Sequence, residues 1–325
     1  MTGEPGRLRP GDGDVLVLRA LGLGDALTGV APLRGVRRAW PDHRLVLAAP
    51  AGVGGWLARL GVVDAVLPTD GLQPAWLEET EWWPGGHLAV NLHGRGPQSH
   101  RLLQATRPDR MVAFGCPEAG HEGPPWEPDE HEVARWCRLV RHAGGDCGAE
   151  DLRLPTTGDR GPAVVLHPGA ASAARRWPVD RWTDLARRLV RSGRPVVLTG
   201  SAAEEPLCRA VVEQVPGPRS LAGRLDLAEL ADLVGTARLL VCGDTGVAHL
   251  ATALATPSVL LFGPTPPQWW GPAIDQDRHS VLWHGEGPGD PHADRVDPAL
   301  TAIGPDEVWA AVTAQLGQQP LRRSG

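Results

Sequence analysis

Lysine and tyrosine are missing altogether from this 325-residue chain, and methionine and phenylalanine occur twice each. With every one of its 32 basic residues an arginine, any cationic contact to a phosphate has to come from a planar guanidinium or be replaced by backbone amides. Cysteine is scarce and unpaired: Cys116, Cys137, Cys147, Cys208 and Cys242 are odd in number and form no CxxC, which argues against a disulfide framework or a structural zinc site. No apolar run reaches the roughly 20 residues of a membrane span, and Met1–Asp14 is polar rather than signal-like. A cytoplasmic protein with at most peripheral membrane contact is expected. The net charge of −6 and pI near 6.1 give no general affinity for nucleic acid.

What remains is an ordinary globular composition, 42% hydrophobic and 22% charged, long enough for two α/β domains. Val15–Leu18, Leu45–Ala48, Ala65–Leu67, His87–Leu92 and Met111–Phe114 read as short buried strands. Between them run helical stretches at about 26–40, 51–61 and 129–142. That alternation predicts a doubly wound parallel sheet. The turn formers Pro155–Pro162 then act as a linker, and the pattern restarts with strands at Val164–Leu166, Pro195–Thr199, Leu239–Cys242 and Val259–Phe262. Trp182, Leu185, Ala186, Leu189 and Val190 fall at helical spacing, so Trp182, like Trp309, is expected in the core. The expected domains are 1–157 and 158–325, with residues 284–304 a surface loop, 305–316 a last helix free to return to the first domain, and 317–325 a frayed tail.

In open parallel sheets ligands bind beyond the carboxyl ends of the strands, and three turns carry suitable chemistry there. Gly22-Leu23-Gly24-Asp25 is a glycine turn that lacks the third glycine of a dinucleotide fingerprint, since Leu27 stands in its place. Asp25 is there either as a helix cap or as a presented carboxylate; the residues alone leave both open. His167–Pro178 offers small residues for close backbone approach, followed by Arg175 and Arg176, which suits a diphosphate or else a solvated basic loop. Gly243-Asp244-Thr245-Gly246-Val247-Ala248-His249 places Asp244 as the natural N-cap, with Thr245 and His249 on one helix face, where His249 serves a ligand or simply fills the core. Trp269-Trp270, after Gly263-Pro264-Thr265, lie where a donor or acceptor contact is possible.

Taken in order from Val15 to about Val312, these segments resemble glycosyltransferase family 9, the bacterial lipopolysaccharide heptosyltransferases and their relatives. Asp244–Leu254, continuing through Pro257 to Phe262-Gly263-Pro264-Thr265, is similar to the family's D-T-G-x-x-H-x-x-A-A-L, P and F-G-P-T segments. Gly24-Asp25 with Pro32 and Pro41 resembles its opening segment, Arg175-Arg176-Trp177-Pro178 its K-R-W-P, Gly200-Ser201 with Glu204 its G-x-x-x-E, and Ile303–Val308 its closing helix start. The resemblance implies a GT-B fold, two Rossmann-like domains facing across a cleft, with the acceptor on the N-terminal side and a nucleotide sugar, typically ADP-heptose, on the C-terminal side. It implies inversion without a metal or other cofactor. Asp25 matches the general base, Arg175 replaces the phosphate lysine, Glu204 the ribose-binding carboxylate and Asp244 the sugar-orienting one, while Thr245 and Gly246 offer amides to the diphosphate. The position usually carrying hydroxyls is here Ala170-Ala171, with Ser172 the nearest.

Asn91, His93, Arg95 and Ser99 follow a strand end and are candidates for the acceptor side. The partners expected are therefore a nucleotide-diphosphate sugar and a glycan or small-molecule acceptor. Two rivals share the fold class: an NAD(P)-dependent oxidoreductase, disfavoured by Leu27, and a non-catalytic nucleotide-sugar-binding protein, disfavoured by retention of both Asp25 and Asp244. A metal hydrolase built on His284, Asp290, His292 and Asp294 lacks ligand spacing, and His131-Glu132 lacks the second histidine of a zincin helix.

Overall fold

Strands as apolar as Val15–Leu18 are stable only when both faces are covered, and that is how the chain folds. A computed structural model describes residues 13–73 and 85–317, which fall into two units, Met1–Leu152 and Arg153–Gly325. In the first unit, strands β1 (Asp14–Leu18), β2 (Arg44–Ala49), β3 (Ala65–Pro68), β4 (His87–Asn91) and β5 (Arg110–Val112) form one parallel sheet in the order β3-β2-β1-β4-β5. Helices α1 (Leu23–Thr28), α2 (Val30–Ala39), α3 (Ala51–Arg59), α4 (Gln98–Ala105) and α5 (Glu132–His142) connect and cover it. Leu16, Leu18, Val46, Ala48 and Ala89 share one buried face with Leu102 and Leu103 of α4.

The second unit repeats the plan. Strands β6 (Val164–His167), β7 (Val196–Leu198), β8 (Arg219–Ser220), β9 (Leu239–Gly243), β10 (Ser258–Leu261) and β11 (His279–Leu282) are again parallel, in the order β11-β10-β9-β6-β7-β8. Its helices are α6 (Val179–Arg191), α7 (Glu205–Val212), α8 (Leu227–Thr236), α9 (Gly246–Ala253), α10 (Pro267–Trp270), α11 (Pro298–Ala302) and α12 (Pro305–Gly317). Trp182, Leu185, Ala186 and Leu189 of α6 are buried at the expected spacing, against Val164, Leu166, Val241 and Leu261. Fully burying a side chain of this size contributes about 1.5–3 kcal/mol.

In both sheets the chain steps outward over three strands and then returns to the other side of the first. That makes β1/β4 and β6/β9 the topological switch points. The register sets the paired carboxyl ends side by side: Leu18 opposite Asn91, and His167 opposite Cys242.

Three expectations need correction. The single helix at 26–40 is two, α1 and α2, broken at Gly29. Gly29 has helical dihedrals; a Cβ there would stand 2.7 Å from Cδ and 2.8 Å from Nε of Arg19, so the missing side chain lets a buried arginine pass. The boundary falls at 152/153 rather than 157/158, because the Leu154 amide donates to Ala253 O and Arg153 pairs with Asp275, both within the second unit. The 284–304 loop ends in helix α11, capped by Asp297, whose side chain accepts from the Ala299 amide, with Leu300 buried beneath. The last helix, α12, packs Val308, Val312 and Leu316 into the core of its own unit. The expected tail lies, apart from Gly317, outside the described residues.

Gly29→Ala tests the passage. Alanine is the better helix former, yet its methyl would collide with a pinned side chain, so the variant should be about 1–3 kcal/mol less stable in urea unfolding. A neutral or stabilising effect would contradict the packing described.

Candidate functional site

In the second unit, the site is assembled where β6 and β9 end. Beyond His167 the chain makes a loop, Pro168–Ser172, and a 3-10 turn, Ala173–Arg175. Gly169 is required here: the Glu204 carboxylate occupies the space a Cβ would fill. Glu204 is held by a capping box, its Oε2 accepting from the Ser201 amide (2.8 Å) and from Ser201 Oγ (2.9 Å). His167 bonds Thr199 Oγ1 through Nδ1 at 3.0 Å; burial lowers its pKa against the opposing charge of Glu204, so the ring stays neutral.

Arg175 reaches across to β9. Its Nη1 donates to Asp244 O (3.3 Å) and its Nε lies 3.5 Å from Ser172 Oγ, while that hydroxyl donates to Pro291 O at 2.5 Å. Gly243 has no side chain, and a Cβ there would lie 3.0 Å from Arg175 O. Helix α9 begins immediately afterwards. Its N-cap is Thr245, not Asp244, and the cap makes no side-chain hydrogen bond to the helix. The amides of the first turn therefore lack a capping side chain, an arrangement that favours an anion. Thr245 Oγ1 is buried with no oxygen or nitrogen partner, beside the Cys242 thiol, whose pKa burial pushes up. Asp244 is buried. His249 lies one turn along, its ring edge-on to Trp270 at 5.8 Å. Arg175, Asp244, Thr245 and Gly246 are thus brought together, with Glu204 on the neighbouring loop.

The first unit builds a second constellation where β1 and β4 end. The N-cap of α1 is Gly22, and Asp25 is its third helical residue rather than its cap. Its side chain is 29% exposed, with Oδ1 3.9 Å from Arg19 Nη2. Arg19 itself is 1% exposed. It donates to the carbonyls of Asp25 and Leu92, to Thr28 Oγ1 (2.9 Å) and to Glu132 Oε1 (3.1 Å). Glu132 also accepts from Arg135 Nη1 and Trp136 Nε1, each at 2.6 Å. Burial works to raise its pKa, but the charge of Arg19, the bonds from Trp136 and Arg19, and Arg135 outweigh it and hold the carboxyl below its usual range.

The four acceptor-side candidates do not share one environment. Asn91 and Ser99 are buried and bonded to each other (Nδ2 to Oγ, 2.9 Å), and Asn91 Oδ1 accepts from the His93 amide at 3.0 Å. They shape the loop. Asn91 Nδ2 also bonds Nδ1 of His100, a buried side chain whose Nε2 meets Phe114 O. His93 is half-buried, its Nδ1 accepting from the Ala20 amide at 3.2 Å, and Arg95 is exposed. Arg19, Glu132 and His100 went unremarked as site residues in the sequence; Arg19 alone carried a signal, a charge at the end of an apolar strand.

Trp182 is buried and Trp309 packs against the same core, as expected, while Trp269 is half-buried on α10. Of the imagined metal cluster, His284 pairs with Glu307 at 2.9 Å, and among the described residues no three His, Cys, Asp or Glu side chains form a group fit for a metal. His131 caps α5, accepting from the Val133 amide. No helix among the described residues is long and apolar enough to cross a membrane.

The sequence model of glycosyltransferase family 9 (heptosyltransferase) matches residues 126–298. The chain is similar to lipooligosaccharide heptosyltransferase 2 of Haemophilus influenzae, 35% identical over 131 residues, 38% of each chain. It spans less than half the length of the curated relatives it matches. Among solved structures, a family 9 glycosyl transferase from Veillonella parvula aligns with a TM-score of 0.78 at 18% identity, covering 97% of this chain and 100% of that one. E. coli ADP-heptose lps heptosyltransferase II aligns with a TM-score of 0.74 at 20% identity, covering 94% and 99%. The architecture is GT-B.

The His93 environment generates a pH prediction. Burial, then the charge of Arg19, lowers its pKa from 6.5 to about 4. Between those values the unfolded chain binds the extra proton, so the contribution to stability is complete above pH 6.5 and is lost as pH falls towards 4. Urea unfolding at pH 7 and pH 5 should show His93→Gln losing less stability than the wild type, by on the order of 1–3 kcal/mol. Equal losses would contradict the assignment; His279, lowered to about 4 in the same way, contributes to both chains and cancels.

Proposed function

The chain belongs to glycosyltransferase family 9, and from that premise we propose that it is an inverting glycosyltransferase moving a heptose from ADP-heptose to an acceptor hydroxyl. The observation that carries this reading is the second-unit switch point, where Arg175 meets Asp244 O beside an α9 N-terminus without a capping side-chain bond. Such a site stabilises the negative charge that develops on a departing diphosphate, with donors fixed before the reaction begins. Glu204 is assigned to the ribose and Asp244 to the transferred sugar. His249 supports the donor side from one turn into α9.

Asp25 is assigned as the general base. It takes the acceptor's hydroxyl proton as that oxygen attacks the anomeric carbon on the face opposite the diphosphate. The new C–O bond forms as the bond to the diphosphate breaks, ADP departs with its charge held by Arg175 and the α9 amides, and the anomeric centre inverts. The chain's own groups supply both the base and the leaving-group stabilisation, so no metal is given a step. On the acceptor side we assign ligand contact to the exposed Arg95 and half-buried His93, supported by their exposure, with Asn91 and Ser99 bonded within the same loop. The names of the relatives, lipooligosaccharide and lipopolysaccharide heptosyltransferases, favour a lipopolysaccharide-type acceptor. Family membership gives the nicotinamide alternative no support. A silent binder is separated from an enzyme by assay.

Incubation with ADP-heptose and deacylated lipopolysaccharide core should release ADP and add one heptose to the core by mass spectrometry. Asp25→Asn should lower kcat by about 10²–10⁴ while leaving ADP affinity within twofold of wild type. Near-normal turnover in that variant would remove Asp25 from the role, and absence of transfer by the wild type with bound ADP-heptose would favour the silent binder.

A further inference from the structure

Arg19 joins four parts of the first unit through one guanidinium. It follows β1, donates to the Asp25 and Thr28 positions of α1, to Leu92 where the chain leaves β4, and to Glu132 at the start of α5. The Trp136 ring lies 5.2 Å from its Cζ, and Gly29 leaves the space through which it passes. Structural bridging of this kind needs only carbonyls and a hydroxyl. Two carboxylates are nevertheless arranged around the same Nη2, Glu132 at 3.1 Å and Asp25 at 3.9 Å.

We propose that Arg19 is a positioning residue that fixes Asp25 as a proton acceptor and, by dividing its charge between Asp25 and Glu132, sets how strong a base Asp25 is. The proposal rests on the reading of Asp25 as the base. A guanidinium facing Asp25 alone would hold the carboxylate ionised but too weakly basic to take a proton from a hydroxyl. Glu132, kept ionised by Arg19, Trp136 and Arg135, draws off part of that charge. The cluster includes the charged and titratable groups Arg19 beyond β1, His93 beyond β4, and Glu132 and Arg135 on α5. His93 is neutral in the working range, and Arg19 and Glu132 are the charged pair whose removal is expected to move Asp25 in opposite directions.

Opposite signs follow for the two partners, which a merely structural role does not produce. The 13C resonance of the Asp25 carboxyl, assigned with Asp25→Asn, is titrated in the full chain alongside the pH profile of kcat/KM with ADP-heptose and deacylated lipopolysaccharide core. Arg19→Gln should raise the Asp25 midpoint and the acidic kinetic limb by about one pH unit; Glu132→Gln should lower both. Should Arg19→Gln fail to fold, Glu132→Gln still decides the question, joined by Arg19→Lys, which keeps the charge but loses the fork and should lower kcat tenfold or more with the midpoint nearly unmoved. Midpoints unchanged in the glutamine variants, or shifted in one direction by both, overturn the proposal. A midpoint that moves while the kinetic limb stays fixed overturns instead the assignment of Asp25 as base.

Discussion

A parallel strand must release its chain at the carboxyl end, and the helix that follows presents its first amides to the same edge. When the next crossover leaves in the opposite direction, two such edges stand side by side with space between them. Both units obey this constraint, at β1/β4 and at β6/β9. Each candidate residue that matters is placed by it. Asp25 lies in the first turn after β1, Glu204 in the turn after β7, and Asp244 and Thr245 in the turn after β9, facing Arg175 from the loop after β6. The chemistry is local decoration on a geometry that the apolar strands impose.

The second organising element is how a lysine-free chain handles charge. Its arginines are used as forks with several simultaneous partners. In the first unit two such forks, Arg19 and Arg135, are buried, and burial of an ion is costly unless its hydrogen bonds are completed. Arg19 completes them with two carbonyls, a hydroxyl and a carboxylate, and Glu132 completes its own with Arg135 and Trp136. Removing one member leaves the other charges stranded, so the cluster behaves as a unit. In the second unit Arg175 is less enclosed and makes longer contacts, to Asp244 O and Ser172 Oγ. That looseness is consistent with donors held in readiness for a ligand.

The doubly wound class, the two-domain plan and the α6 core stripe were legible because they depend on short-range periodicity. So were the positions of Asp25, Arg175 and Asp244 just beyond strand ends, the edge where ligands gather in such sheets. The Arg19 cluster was not, since Arg19 and Glu132 are 113 residues apart and only folding brings them together. At Gly29 the close approach of Arg19 went unseen for the same reason: it comes from another element, not the helix's own sequence. The bonding of Asn91 and Ser99 was also hidden from the sequence. Polar residues after a strand look like ligand contacts, yet these two satisfy each other and a buried loop. The cap of α9 shifted by one residue, from Asp244 to Thr245, because β9 runs on through Gly243.

The central claim is that the second unit receives a nucleoside diphosphate at Arg175 and the start of α9. Calorimetric titration of the whole chain with ADP, UDP, GDP and dTDP, repeated on Arg175→Ala, tests it most directly. ADP should bind most tightly, and the variant should weaken it by about tenfold or more, as expected for loss of a charge-assisted hydrogen bond. Preference for another nucleotide, or ADP affinity indifferent to Arg175, would contradict the account.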